Sequence, residues 1–396
     1  MAWSASVPVW SLCITQVISW GTLYYAFSAL QTAIRPAHPW DPASVMGAFS
    51  FCLLVSGLAA YPAGLAIQKW GGRWTMTAGS LTAAVSLAVV AEAASLRTFY
   101  FGWGLAGVAM SLSLYDAAFA ALAGISKLDY RRAVTTVTLA GGFASTVFWP
   151  LTEWLASSVG WRATLHVYVA LHLLVCLPLH QLGGLDTGRI PLSPLTRTTH
   201  WPGLLWLGDS RFLLLAGSFT LNSLVFSCVT VHLIPVLQSA GSTSSEAAWF
   251  AACVGPMQVA GRVGELALGG RHRAIDTGRF ALALLIPALA ALSYAKAGPA
   301  WMLVAVGAYG VSNGLMTIVR SVSVVELFGR DEYPRISGAI GAMPTLARAA
   351  GPITASLVLA RTGSYRTVLA ILIVSSIASF LLFAAAASRP SGPAVK

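Results

Sequence analysis

Twelve apolar runs of about 20 residues recur along this chain, each long enough to cross the hydrocarbon core of a bilayer as a helix. They fall near 8–31, 43–67, 75–95, 98–125, 132–157, 163–183, 211–238, 246–268, 277–295, 300–322, 336–360 and 367–388. Lipid offers no partner to an open backbone amide, and the runs are too long and continuous for barrel strands. The expected fold is therefore an all-α membrane protein with twelve transmembrane helices. Composition agrees: 57% of the 396 residues are hydrophobic and 9% are charged, whereas a soluble domain carries about a quarter charged residues. No basic stretch precedes the run from Pro8 to Leu30, and its length suits a retained span rather than a cleaved leader.

The longest polar gap, 184–210, is rich in Gly, Pro and Thr. It divides the chain into an N-terminal half, 1–183, and a C-terminal half, 211–396, of six spans each. Short echoes point to a duplication. Gly71-Gly72-Arg73 follows span two and Gly269-Gly270-Arg271 follows span eight; Gly160-Trp161-Arg162 follows span five and Gly363-Ser364-Tyr365-Arg366 follows span eleven. Pseudo-symmetric six-helix halves around a midplane site are a common plan for secondary transporters.

Basic residues give the orientation. Of 24 Lys and Arg, three (Arg262, Arg320, Arg348) fall inside spans and six (Arg35, Arg97, Arg162, Lys296, Arg361, Arg366) fall on one side, leaving 24 − 3 − 6 = 15 on the other. The positive-inside rule then places both termini and the 184–210 linker in the cytoplasm. Trp10, Trp40, Trp70, Trp74, Trp161, Trp301 and Tyr365 lie near span ends and read as interfacial belts.

The net charge of +11 is spread between apolar blocks, which does not fit a nucleic-acid footprint. Cys13, Cys52, Cys176, Cys228 and Cys253 lie inside apolar stretches without metal-ligand spacing, and read as buried thiols without disulfide, zinc or other cofactor. There is no HExxH, no pair of metal-binding carboxylates and no loop large enough for a soluble catalytic lobe, so no catalytic residues and no enzyme are expected. A channel filter is not visible either.

A charge within a span is costly, about 3 kcal/mol or more, and marks a candidate site. Arg348 falls near the middle of span eleven. Arg262 lies below the centre of span eight, where anion contact competes with snorkelling or a pair with Glu265. Arg320 in span ten suits a gate, ligand contact or a pair with Glu326. Asp116 lies about ten residues above the basic loop at 127–132, deep enough for proton uptake or for a structural ion pair. His232 serves packing or proton relay, while Glu92 and Glu153 approach the outer interface. Trp20, Tyr24 and Tyr25 offer ring faces and hydroxyls to a cavity, or to packing. Gly141, Gly142 and Pro150 in span five, with Gly341, Pro344 and Gly351 in span eleven, read as close-packing and flexing points.

The stretch from Gly64 through Gln68-Lys69-Trp70-Gly71-Gly72-Arg73 resembles the loop motif of the major facilitator superfamily, in which an acid stands where this chain has Gln68. The resemblance implies a cytoplasmic gating loop of Gly64, Gly72 and Arg73, with Asp129 as a partner for Arg73. Trp103 stands where the proton-driven drug exporters of that superfamily carry an arginine. Ser19-Trp20-Gly21-Thr22-Leu23-Tyr24-Tyr25, Leu114-Tyr115-Asp116, the stretch Gly255–Arg262, and Asn313-Gly314-Leu315 with Arg320 resemble the bacterial branch related to monocarboxylate porters and oxalate/formate antiporters. That branch implies Arg262 and Arg348 in the places of its substrate cations; a monomeric, multi-pass protein of the bacterial inner membrane is expected.

The expected function is secondary active transport of a small organic anion by alternating access, with protons or a counter-solute as the other cargo. Arg348 and Arg262 would hold the anion, and Trp20, Tyr24, Tyr25 and Asn313 would line the site. Export of a neutral or apolar compound, or a non-transporting sensor or scaffold, is the alternative.

Overall fold

The computed structural model describes residues 7–125, 130–185, 209–267, 273–294, 298–328 and 333–388. Among these residues the chain forms twelve helical stretches and no strand. In chain order we call them helix 1 (7–34), helix 2 (42–70), helix 3 (72–91), helix 4 (96–123), helix 5 (130–159), helix 6 (161–182), helix 7 (210–239), helix 8 (244–267), helix 9 (274–293), helix 10 (299–328), helix 11 (333–362) and helix 12 (365–388). The boundaries lie within a few residues of the apolar runs. The turn between the second and third runs is shorter than their gap suggests. Helix 2 continues to Trp70, Gly71 turns the chain at φ 80°, and helix 3 begins at once. That backbone angle is open to glycine at little cost.

Local signals set the ends. Asp41, Ser95 and Asp209 accept N–H bonds from Ser44 (3.1 Å), Thr98 (3.2 Å) and Arg211 (2.8 Å), capping helices 2, 4 and 7. Thr243 and Glu246 form a reciprocal capping box before helix 8. Gly160 (φ 85°) and Gly363 (φ 64°) precede helices 6 and 12, so the glycines of that sequence echo share a left-handed backbone.

The described chain divides into two compact units. One holds helices 1–6 with residues 233–235 and 243–252; the other holds the remainder of helices 7–12. In the first, Trp103 is buried among Phe27, Phe49 and Phe99, which explains how an indole occupies that place on helix 4. In the second, Phe219, Phe383, Leu282, Leu315 and Val319 form the centre. Trp10, Trp70, Trp74 and Trp301 are exposed, as an interfacial belt requires. Trp161 is not: it is buried, with the Arg162 guanidinium 4.3 Å above its ring. The 184–210 linker lies almost wholly outside the described residues.

Candidate functional site

In the first unit the motif glycines have different surroundings. A side chain on Gly72 would meet the Cα of Ala121 at 3.2 Å, so its absence lets helix 3 dock on helix 4. Gly64 has open space around it. Arg73 donates from Nε to Gln181 on helix 6 (3.1 Å), and its backbone N–H reaches the Leu185 carbonyl (3.1 Å). Asp129, the expected partner, lies outside the described residues.

Trp20, Tyr24 and Tyr25 sit at an irregularity that the sequence reading did not anticipate. Helix 1 widens to a π turn over Gly21–Tyr25, closed by the Ala26 N–H on the Gly21 carbonyl. Single π turns of this kind concentrate at functional sites. Gly21 permits it, because a Cβ there would sit 2.6 Å from Phe148 Cε2. The turn gathers an aromatic cluster: Trp20 lies 5.4 Å from Tyr24 and 5.1 Å from Tyr115, and Tyr25 lies 5.1 Å from Trp149. Trp20, Tyr24 and Tyr115 remain half-buried, so parts of these rings are open to contact while Tyr25 is packing.

Asp116 stands beside a break in its helix. Helix 4 breaks at Leu114 and restarts at Tyr115, which puts Asp116 in a first turn, exposed. A carboxylate at a helix N-terminus is stabilised by the local dipole. Among the described residues the Asp116 carboxylate makes no ion pair.

In the second unit the arginines separate. Arg262 is buried; it donates to the Gly314 carbonyl from Nε (3.4 Å) and to the Thr317 hydroxyl (3.1 Å). Helix 10 comes this close because Gly310 and Gly314 lie against helix 8, where a Cβ on Gly314 would stand 2.8 Å from Gln258 Cα. Arg262 is thus tied to helix 10. Asn313, half-buried, adjoins this contact. Arg320 approaches Gly341 on helix 11, whose Cβ would be 3.6 Å from its guanidinium. Glu326, its expected partner, instead accepts from Arg273 (2.5 Å) and from the Ile275 N–H (3.3 Å), and Glu265 accepts from Thr277 (3.0 Å).

Arg348 lies at the middle of helix 11, exposed, and its guanidinium makes no hydrogen bond or ion pair among the described residues. Its backbone is fixed nonetheless. Pro352 has no N–H to give to the carbonyl four residues back, and the Ser227 hydroxyl takes that Arg348 carbonyl at 2.6 Å. Cys228 and His232 bind the Gly351 and Pro352 carbonyls similarly, at 3.0 Å each. The other ring nitrogen of His232 meets the Tyr365 hydroxyl at 3.2 Å. With both nitrogens engaged and the ring buried, His232 holds helix 7 to helices 11 and 12.

The sequence reading passed over two histidines. His172 and His180 on helix 6 are fully buried, as is Cys176 midway between them. His172 Nε2 lies 2.8 Å from the Thr22 hydroxyl, and His180 Nδ1 lies 2.8 Å from the Ser80 hydroxyl. The available signal was their spacing of four and eight, which puts all three on one face. Among the described residues no group of three or more His, Cys, Asp or Glu is arranged to hold a metal ion.

No curated protein sequence matches the chain. Among solved structures it is similar to the crystal structure of the nucleoside transporter NupG, with a TM-score of 0.75 at 14% identity, covering 98% of this chain and 100% of that one. A mutant of the same transporter aligns with a TM-score of 0.76 at 15% identity, over 96% of this chain and 99% of that one. At such identities the likeness concerns the fold. The family model of the Major Facilitator Superfamily matches residues 12–352, and the chain belongs to that superfamily.

Proposed function

We propose that the protein is a secondary active transporter that moves a small organic anion by alternating access, with Arg348 as the anion contact. The observation that supports this reading is the state of that guanidinium: central on its helix, exposed, and without a protein partner among the described residues. A cation at that depth in a span is costly unless it faces a polar pathway or finds an anion. A carboxylate meets the planar fork of arginine through two parallel bonds. Arg262 has a structural role in this reading, as a brace between helices 8 and 10.

A second reading rests on the aromatic cluster. The half-buried rings of Trp20, Tyr24 and Tyr115 suit a flat, neutral solute, and the structurally similar NupG is a nucleoside transporter. Thermal stabilisation of the purified protein by carboxylates and by nucleosides, followed by uptake into proteoliposomes, separates the two. Carboxylates are expected to stabilise and to be taken up. Arg348→Lys keeps the charge and loses the fork, so it should weaken carboxylate affinity about tenfold or more while folding survives. Stabilisation by nucleosides alone, with Arg348→Lys indistinguishable from wild type, refutes the anion reading.

A further inference from the structure

Unpaired polar atoms are distributed unevenly in this fold. Twelve buried side-chain polar atoms have no hydrogen-bond partner among the described residues, and ten belong to the helices 1–6 unit: those of Gln16, Ser19, Trp20, Gln68, Thr75, Trp103, Ser145, Trp149, His172 and His180. Four of these residues (Gln16, Ser19, His172 and His180) lie on two facing ladders. On helix 1, Gln16, Ser19 and Thr22 recur at intervals of three and are fully buried. On helix 6, His180, Cys176 and His172 recur at intervals of four and are fully buried as well. The helices run antiparallel, so the rungs pair in reverse order. Thr22 meets His172 at 2.8 Å and Ser19 stands against Cys176, which sets Gln16 opposite His180 by register.

Hydrogen counting shows what the seam lacks. The single Thr22 proton goes to the Ile18 carbonyl (2.8 Å), so the hydroxyl accepts from His172 Nε2–H and leaves Nδ1 as a bare acceptor. His180 Nδ1 lies 2.8 Å from the Ser80 hydroxyl, and its Nε2 has no hydrogen-bond partner among the described residues. The Gln16 amide cannot turn round, because its NH2 is held by the Ser113 carbonyl at 2.6 Å; its oxygen is an acceptor without a donor. Three buried polar atoms, Gln16 Oε1, His172 Nδ1 and His180 Nε2, thus lie along one seam without a partner among the described residues. Buried polar groups left in this state call for a ligand or a function.

The surrounding charges narrow the answer. The elements packed on this stretch bring Cys13, Tyr24 and Tyr25 on helix 1, Cys52, Tyr61, Lys69 and Arg73 on helices 2 and 3, Tyr115 and Asp116 on helix 4, Arg132 and Glu153 on helix 5, and Arg162, His166, Tyr168 and Cys176 on helix 6. The carboxylates Asp41 and Glu92 lie at the opposite ends of helices 2 and 3 from Arg73; Glu92, taken by His166 at 2.9 Å, is about 18 Å from Ser80 along the helix. Among the described residues neither these carboxylates nor Asp116 and Glu153 make a hydrogen bond to Gln16, His172 or His180.

We infer that the paired ladders of helices 1 and 6 form the proton-binding element of this carrier, with His172 and His180 as its acceptors and Asp116 outside it. One added proton turns a bare ring nitrogen into a donor and matches it to a facing acceptor such as Gln16 Oε1. The positive charge so created is then balanced by the transported anion, which makes the cycle proton–anion symport. The symport step rests on the anion reading; proton binding by the ladder does not.

The test follows the rings themselves. Full-length protein carrying 15N-histidine in lipid nanodiscs is titrated by NMR from pH 8 to pH 5, with His172 and His180 assigned by loss of signal in His172→Gln and His180→Gln. At least one of the two is expected to convert reversibly from a neutral tautomer to imidazolium while the protein stays folded. Thr22→Val, which removes the acceptor but keeps the shape, should shift the His172 midpoint; it guards against misfolding of the glutamine variants. Both rings remaining neutral in folded protein throughout that range would overturn the proposal. Carboxylate stabilisation without imidazolium formation defeats this inference alone, whereas imidazolium formation without carboxylate stabilisation defeats the anion reading alone.

Discussion

Gly310 and Gly307 lie three residues apart on helix 10, both toward Met257 of helix 8, and alanine at each should have opposite consequences. A Cβ on Gly310 would stand 2.7 Å from Met257 Cβ and 2.8 Å from the Val254 carbonyl oxygen, whereas one on Gly307 would meet Met257 Cγ at 3.8 Å. Ordinary carbon contacts begin near 3.5 Å, so Gly310→Ala forces the two helices apart by roughly 0.7 Å, and Gly307→Ala fits as it stands. Both changes gain the same helical preference, about 0.5–1 kcal/mol, so their difference isolates the steric cost. Overpacking of this kind costs about 1–3 kcal/mol. If the contact is lost in the unfolding transition state, about 2 kcal/mol is about a thirtyfold shorter half-life at fixed temperature. The measurement is irreversible thermal inactivation of both variants in one detergent, followed by loss of the monodisperse gel-filtration peak. Equal half-lives, or a more stable Gly310→Ala, would refute the close packing of helices 8 and 10. Because Arg262 reaches the Gly314 carbonyl across the same contact, that result would also remove its bracing role.

Ser227→Ala strands the carbonyl that Pro352 frees and should cost about 1–3 kcal/mol; in a Pro352→Ala background the restored N–H should reduce that cost below about 0.5 kcal/mol, a coupling read by a double-mutant cycle on thermal stability. A cysteine introduced at Thr187 should escape an impermeant maleimide on intact cells and one at Ser242 should react, as the basic-residue bias requires; the reverse pattern inverts the topology. Burial raises the Asp209 carboxyl, but hydrogen bonds and charge from Arg211 outweigh it and hold the group below its ordinary value. Its stabilising contribution is therefore present above the ordinary value and lost as pH falls through the lowered one. Asp209→Asn should lower thermal stability at pH 6 and match wild type once both are measured below that value.

Hydropathy made the helices legible because a span is a property of twenty residues at once. The echo glycines were legible for a local reason: Gly160 and Gly363 hold a backbone that other residues adopt at a cost. The site was read unevenly. Arg348 stood out because one guanidinium changes the polarity of a whole run, but Arg262 looked alike in sequence. What separates them is Gly314, fifty-two residues away, whose missing side chain brings a carbonyl within reach. Nothing in Leu114-Tyr115-Asp116 announces the break in helix 4 that puts Asp116 in a first turn. His172 and His180 escaped notice because an isolated imidazole barely alters a run's hydropathy. Their significance depends on a facing helix whose register is visible after folding.

Both units answer interruptions of helical bonding with a donor from a neighbouring helix. At the Leu114 break the Ser113 carbonyl is taken by Gln16 from helix 1; at Pro352 the Arg348 carbonyl is taken by Ser227 from helix 7. A bare carbonyl in a low-dielectric interior is expensive, so the donors are fixed by the breaks they serve. The consequences reach the side chains that matter. Committing the Gln16 NH2 to Ser113 turns its oxygen away from that carbonyl and leaves the helix 1 ladder short of a donor, the condition that gives the buried histidines something to bind. Committing Ser227 to Arg348 anchors the backbone from which the guanidinium projects, so its position is set by main-chain bonding while its five N–H groups stay available. Substitutions at Gln16 and Ser227 should therefore disturb proton binding and anion binding respectively, although Ser227 acts through a main-chain oxygen and neither residue has to touch the solute.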